Sequence, residues 1–460
     1  MPNTRRMHRG MAAALLWVLP AGLTAVPLVL DPTFGRGGSV LTSFTGVVAA
    51  RALAIQPDGR IVAVGQSGNQ LYLDVALARY LTNGTLDPAF GSGGRVVTTF
   101  DPQGTVADAV AVQLDGKLVV AGGGGGGLFL VARYRSDGTL DPTFGSGGSV
   151  MTDITPGSDF VSSVVIQPDG GILAAGTAVS SNYGQSDLAF ARYLPDGTLD
   201  PAFGAGGRLQ LDVDGTEDRL SALALQPDGR IVACASAFYP NHLGVAAILR
   251  LDHDGSLDPT FGTGGKVLTQ AVGCSAVKVQ PDGKLVVLGG VSVPAPVYGT
   301  IAAARLLPDG SFDASFGQGG IVSTLLPGRQ GGELDGAILG DGRLIAVAYS
   351  QILNSQANGD VLLAGYGPDG SPDPTVGPDG WQAFDFGGID TPVSLAVQAD
   401  GKIVVGGTSG PYAGPFQFLV ARFASPSVST VPALSGLGAV LLGIAFAVAG
   451  VAALQIRRGN

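Results

Sequence analysis

The sequence predicts an all-β fold: a seven-bladed β-propeller of four-stranded antiparallel blades, with an N-terminal signal segment and a C-terminal transmembrane helix beside it. Three observations carry that expectation. A Leu-Asp-Pro-x-Phe-Gly-x-Gly-Gly box, with variants, places its aspartate at Asp31, Asp87, Asp141, Asp200, Asp258, Asp313 and Asp373. An Asp-Gly turn and a strand ending in Ala-Arg-Tyr or a close variant recur once per unit. Composition agrees, because 74 glycines and 29 prolines accompany 45% hydrophobic residues, which suits many short strands joined by tight turns. Successive boxes lie 54 to 60 residues apart, and such a period sets the architecture before any single motif is read.

Residues 1–25 read as a secretory signal. Arg5, Arg6 and Arg9 form a positive stretch, Met11 to Leu19 is uncharged and apolar, and small residues at Ala21 to Ala25 offer cleavage after Ala25. An uncleaved anchor is the alternative, since apolar character continues to Leu30.

The array spans residues 31–423. Each unit holds a turn, first Gln56-Pro-Asp-Gly59, then counterparts beginning at Gln113, Gln167, Gln226, Gln280, Leu339 and Gln398. Proline presets a turn angle, and Asp and Gly tolerate the left-handed conformations that hairpins need. Alternating runs such as Ala52–Ile55 and Arg60–Val64 flank the turn, a hairpin signature. The strand arginine is Arg79, Arg133, Arg192, Arg250, Arg305 and Arg422, with Gly365 in the sixth unit. From this position to the next box aspartate is eight residues in all six measurable cases, so the connection reads as a packed joint. A short run after each double glycine, such as Arg95–Phe100, alternates like a strand.

Four antiparallel strands per unit follow. Such sheets bury both faces by packing around a common axis, as propeller blades do. The array opens on a box and stops at Arg422-Phe423 without one, so the box at Asp31 is expected to complete the last blade. Length varies mainly between turn and arginine strand, which places variable loops on one face, the usual location of binding.

Box and turn together resemble the delta-60 repeat of bacterial secreted and surface proteins, from Asp31 to about Phe423. Ala314 in place of proline and Val376 in place of phenylalanine depart from the pattern. The resemblance implies a secreted or surface repeat protein and carries no activity with it.

Residues 424–432 form a polar linker and a short box, 433–456 an uncharged stretch of 24 residues, and 457–460 a basic tail. At about 1.5 Å per residue a helix of that length spans roughly 30 Å of hydrocarbon. Arg457 and Arg458 would keep the tail cytoplasmic and the array outside. Val431-Pro432-Ala433-Leu434-Ser435, followed by Gly438, resembles the IPTL-type sorting signals of Gram-negative bacteria, although Gly436 and Leu437 stand where Glu and Trp are expected. That resemblance implies an exosortase-like membrane protease and transfer to the cell surface. A plain transmembrane anchor is the alternative.

All 36 acidic residues lie between Asp31 and Asp400, against 21 basic residues in the array, for a net charge of −15 there. Such a surface repels nucleic-acid phosphates and anionic headgroups. The box aspartates read as structural, since a residue present in every unit builds the unit. A repeated Arg–Asp pair across blades is the expected companion, exposed and contributing about 0–1 kcal/mol each. Asp252–Asp258 and Asn83–Asp87 lack the alternating ligands and closing acid of an EF-type calcium loop. His242 and His253 show no zinc-hydrolase spacing, no Gly-x-Ser-x-Gly elbow is present, and Gly262–Lys266 is a repeat box, not a phosphate loop.

Cys234 and Cys274 lie in adjacent units and can pair in an exported chain, two buried thiols being the alternative. No residue is assigned a catalytic, cofactor-binding or metal-ligating role. The expected function is a non-enzymatic, monomeric surface propeller that uses the export machinery and binds an extracellular ligand or glycan, with no nucleic-acid partner. The alternatives are a polysaccharide lyase or hydrolase, for which Glu217, Asp218, Asp187 and Asp214 are the unit-specific acids to inspect, and a purely structural envelope component.

Overall fold

The computed structural model describes residues 23–425 and 427–430, apart from 70–71, 181–184, 214–216, 239–243, 291–298, 353–358 and 412–413. The basic stretch at Arg5, the sorting residues Val431 to Gly438, the span 433–456, Arg457 and Arg458 lie outside the described residues, as do Asp214 and His242. Among the described residues every named element is a strand, and no helix is long and apolar enough to cross a membrane.

Val47–Ile55, Ile61–Gly68, Leu73–Tyr80 and Arg95–Thr98 pair antiparallel in chain order and form sheet I. The same order builds sheet II from Ala109–Val112 through Ser149–Thr152 and sheet III from Ser158–Ile166 through Arg208–Leu211. It also builds sheet IV from Glu217–Leu225 through Lys266–Thr269, sheet V from Ala276–Val279 through Ile321–Leu326, and sheet VI from Arg329–Ile338 through Trp381–Phe384. One parallel bridge, Ser186 to Glu217, joins the third strand of sheet III to the first strand of sheet IV. Sheet VII takes three strands from the end of the array, Ile389–Val397, Ile403–Gly410 and Gln417–Phe423, and its fourth, Ser39–Thr42, from the beginning.

That exchange closes the chain. Arg422 N donates to Gly38 O at 2.8 Å, Asp31 N donates to Arg422 O at 2.8 Å, and Arg422 Nε donates to Asp31 Oδ2 at 3.0 Å. The box at Asp31 thus makes for sheet VII the contacts that later boxes make for the strand eight residues before them. Leu23–Val26 pairs antiparallel with Ser427–Thr430 in a second compact unit, apart from Pro27–Pro426.

The second and third strands are apolar and buried along nearly their whole length, as sheets covered on both faces require. Each hydrophobic cluster joins one sheet to the next. Val64 and Leu77 of sheet I meet Val120 and Leu130 of sheet II, and the last link returns Val404 and Phe418 of sheet VII to Ala63 and Ala76 of sheet I. The first strands lie side by side in the same cyclic order, that of sheet VII next to that of sheet I.

The tyrosine of the Ala-Arg-Tyr strand adds a polar tie between sheets. Tyr80, Tyr134 and Tyr193 donate to Thr42, Thr98 and Thr152 on the last strand of the preceding sheet at 2.8, 3.0 and 2.8 Å. Their phenols are buried, and a buried hydroxyl without a partner would be costly.

Candidate functional site

The box aspartate is a buried joint. Arg79 Nε donates to Asp87 Oδ2 at 2.9 Å, the guanidinium lies 4.5 Å from the Phe90 ring centroid, and its Nη1 reaches the Ser136 carbonyl in sheet II. Gly91, at φ +53°, donates its amide to Asp137 O at 2.8 Å, where a Cβ would meet the Arg95 carbonyl. The expected Arg–Asp pair is therefore within one unit rather than across blades, and buried rather than exposed. The antiparallel bond from Asp87 N to Arg79 O folds the eight-residue connection back on its own strand, and only the outer guanidinium nitrogen is left to reach the neighbour.

A second cation normally follows the turn. Arg60, Arg230, Lys284 and Lys402 stand 3.0, 3.3, 3.3 and 3.5 Å from Asp87, Asp258, Asp313 and Asp31. Sheet VI has Gly365 in place of the strand arginine, and there Arg343 takes over Asp373 at 2.9 Å. Val376 replaces the phenylalanine in the same unit, and a Cβ on Gly365 would lie 2.4 Å from it. The stacked pair has thus been lost as a pair. Burial pushes the Asp31 carboxyl up, but hydrogen bonds from Thr33 and the charges of Arg422 and Lys402 outweigh it and leave it at about 2.

Function is better sought where units differ. Five residues before the start of each turn stand Arg51, Asp108, Ser162, Ser221, Ser275, Leu334 and Val393. In four first strands this residue is a β-bulge: the register shifts around Arg51, Ser162, Ser221 and Val393. A bulge leaves its residue out of the ladder and re-aims its side chain. Arg51, Asp108, Ser162, Ser221, Ser275 and Val393 line one cavity of about 500 Å³ with Phe160, Val161 and Leu220. That volume lies within the range of small-molecule sites.

The lining is polar with one aromatic. Three serines supply hydroxyls, Arg51 Nε lies 3.9 Å from Asp108 Oδ1, and Phe160 is exposed. Burial raises the Asp108 carboxyl, and Arg51 draws it part of the way back. The next position inward ties sheets together instead: Asp335 accepts from Leu395 N at 2.8 Å and pairs with Lys278 at 2.9 Å, and Ser163 Oγ accepts from Leu223 N at 3.2 Å.

The unit-specific acids fall elsewhere. Asp187 and Asp218 come together with Asp212, one carboxylate oxygen from each within 4.8 Å of the others. Glu217 instead pairs with Arg219 at 3.1 Å. Asp212 is a residue that sequence reasoning missed: the register of the last two strands of sheet III sets it beside Asp187, and Asp218 meets both from sheet IV. Burial, with the charges of Asp212 and Asp187, outweighs the Val213 amide and Lys266 and holds the Asp218 carboxyl at about 6.

Cys234 in the second strand of sheet IV and Cys274, just before sheet V, form a disulfide with Cα atoms 5.6 Å apart. Both belong to the core between those sheets, which brings strands from adjacent units within bridging range.

Six segments match the family described as a domain of unknown function (DUF5122) beta-propeller: residues 56–90, 113–144, 167–203, 226–261, 280–316 and 398–425. The first five run from a turn to the next box phenylalanine, which is the repeat described above. A comparison with curated proteins returns no match. Among solved structures, a protein of unknown function from Dyadobacter fermentans is 12% identical, covers 88% of this chain and 100% of its own, with a TM-score of 0.41. The polysaccharide lyase Uly1 is 12% identical over 89% of this chain and 94% of its own, at a TM-score of 0.48. Domains 1–2 of Drosophila Semaphorin 1a are 9% identical over 87% and 88%, at 0.43. At these values the likeness bears on no chemistry.

Proposed function

We propose that the chain is an exported, seven-bladed β-propeller that binds a glycan without turning it over, in the cavity ringed by the bulge residues. The observation that carries this reading is the convergence of side chains from six units on one cavity, at a position whose residue varies, while the repeated residues are consumed in joints. Serine hydroxyls, an Arg–Asp pair and an exposed phenylalanine suit a sugar, which offers hydroxyls at its edge and an apolar face. Hydrolysis by the two-carboxylate route needs a pair of acids across the bond. The lining among the described residues supplies one, Asp108, and that one faces Arg51.

The blade count is supported by the cyclic order of the sheets and by the shared sheet VII. Export and surface display are supported by Arg5, Arg6 and Arg9 before an apolar stretch and by the Val431–Ser435 box before residues 433–456 and Arg457-Arg458. An exosortase-like protease would be the partner at that end. The test is a glycan array probed with the full chain. Saturable binding to a defined glycan class carries the proposal. Turnover of the bound glycan overturns its non-enzymatic part, and absence of binding across the array overturns the ligand.

A further inference from the structure

We propose that Asp187, Asp212 and Asp218 bind a calcium ion between sheets III and IV. Asp218 is 0% exposed, and its Oδ2 accepts from the Val213 amide at 2.6 Å. Its Oδ1 is buried and has no hydrogen-bond partner. Such an atom costs free energy unless something satisfies it. The oxygens of Asp187, half-buried, and Asp212, exposed, close on the same spot. None of the three carboxylates takes part in an ion pair among the described residues. Lys266, the nearby cation, donates to the Val213 carbonyl at 2.6 Å instead.

The protein carries its own comparisons. The buried aspartate eight residues before the turn recurs as Asp159 and Asp390. Asp159 uses both oxygens, accepting from Ile154 N, Thr155 N and the Thr155 hydroxyl at 2.7, 3.1 and 2.9 Å. Asp390 accepts from Phe386 N at 2.6 Å; its Oδ1 likewise has no hydrogen-bond partner, with Ser409 opposite it across the ladder. Asp218 faces Ala237 across the ladder, without a hydroxyl opposite, and of the three it alone has two further carboxylates close on it among the described residues.

Between sheets VI and VII the counterpart of Asp187 is Asp360, and there Arg329 pairs with the carboxylate at 2.8 Å. The position of Arg329, ten before the turn, is Gly157 in sheet III, where a Cβ would sit 1.7 Å from the Val179 carbonyl. The site where the chain cannot place its own cation is the one that leaves three acids without an ion pair among the described residues, Asp187 accepting only from Gln210 Nε2 at 2.6 Å. An all-oxygen donor set without histidine or cysteine selects a hard cation, and side chains from two sheets suit the irregular shell of calcium better than the strict octahedron of magnesium.

The proposal does not depend on what the cavity binds. It is tested by thermal unfolding of the full chain across calcium and magnesium titrations. With the affinity usual for extracellular calcium modules, about 10⁻⁴–10⁻³ M, calcium at roughly 10 mM should raise the folded-to-unfolded ratio about 10- to 100-fold. Asp187→Asn and Asp212→Asn should each remove most of that shift, Asp360→Asn should keep it, and magnesium should give less. No saturable calcium shift in the wild type, or a shift that survives both substitutions, overturns the site.

Discussion

Asp31→Ala removes the carboxylate through which the start of the array holds its end. In the wild type Asp31 Oδ2 accepts from Arg422 Nε at 3.0 Å, with Nη2 at 2.9 Å, and Oδ1 accepts from Thr33 N at 2.9 Å and Thr33 Oγ1 at 2.6 Å. Arg422 is 5% exposed, so truncation leaves a buried guanidinium with the Thr82 carbonyl and Thr33 hydroxyl but no counter-charge. Removing one partner of a buried pair costs about 3–5 kcal/mol. The backbone ladder between Ser39–Thr42 and Gln417–Phe423 survives, so the variant should still fold. The assay is urea unfolding, with Asp87→Ala as the equivalent joint inside continuous chain and Asp58→Ala, an exposed carboxylate, as the control. Asp31→Ala and Asp87→Ala should lose similar amounts, and Asp58→Ala about 0–1 kcal/mol. A loss at Asp31 no larger than at Asp58 would refute closure through this box.

Acid should weaken the same joints. Asp31 and Asp258 sit at about 2 in the fold against an ordinary 3.8, and Asp313 lies well below its usual range, chiefly through the Ser315 hydroxyl. A depressed acid stabilises the fold above its unfolded value and loses that contribution as pH falls through its folded value. The stability difference between wild type and Asp31→Asn should therefore be full at about pH 5 and shrink between about pH 4 and 2, measured by denaturant titration. Arg343→Ala should cost about 3 kcal/mol or more, because Asp373 has no strand arginine; Lys284→Ala, with Arg305 still 2.8 Å from Asp313, should cost about 1 or less. Equal losses would contradict the exchange of roles between Arg343 and the missing arginine. Cys234 and Cys274 close a separation of 40 residues, for which chain entropy gives about 4 kcal/mol. The Cys234→Ala/Cys274→Ala double variant should lose about that much, and an unlinked pair of peptides from non-reducing digestion would contradict the bridge.

The frame was legible because its parts repeat. Box, turn and arginine strand stand at constant separations, and the missing last box points directly at Asp31. Partner identity was harder to read. Arg79 and Asp87 are separated by eight residues in any conformation, and only the antiparallel turn of the connection decides that they meet each other instead of a neighbour. The cavity residues were hidden for a different reason. Arg51, Asp108, Ser162, Ser221 and Ser275 share a register position, but the residue type is serine in only three of seven units, so the position carries no motif. Counting back from the turns would have aligned them; that Arg51, Ser162 and Ser221 sit at bulges is a property of the ladder. Asp187 and Asp218 stood out as unit-specific acids, whereas Asp212 joins them through the register of the last two strands of sheet III and the approach of sheet IV.

The central claim is that binding occurs where the bulge residues converge. Ser221→Trp places an indole into a cavity of about 500 Å³ while leaving every box, turn and arginine joint intact. The direct measurement is the affinity of this variant and of the wild type for a glycan selected on the array, with circular dichroism confirming an unchanged fold. Loss of binding by at least about 100-fold, or roughly 2.7 kcal/mol, is the predicted result. Wild-type affinity in a folded Ser221→Trp protein would place the binding surface elsewhere and contradict the account.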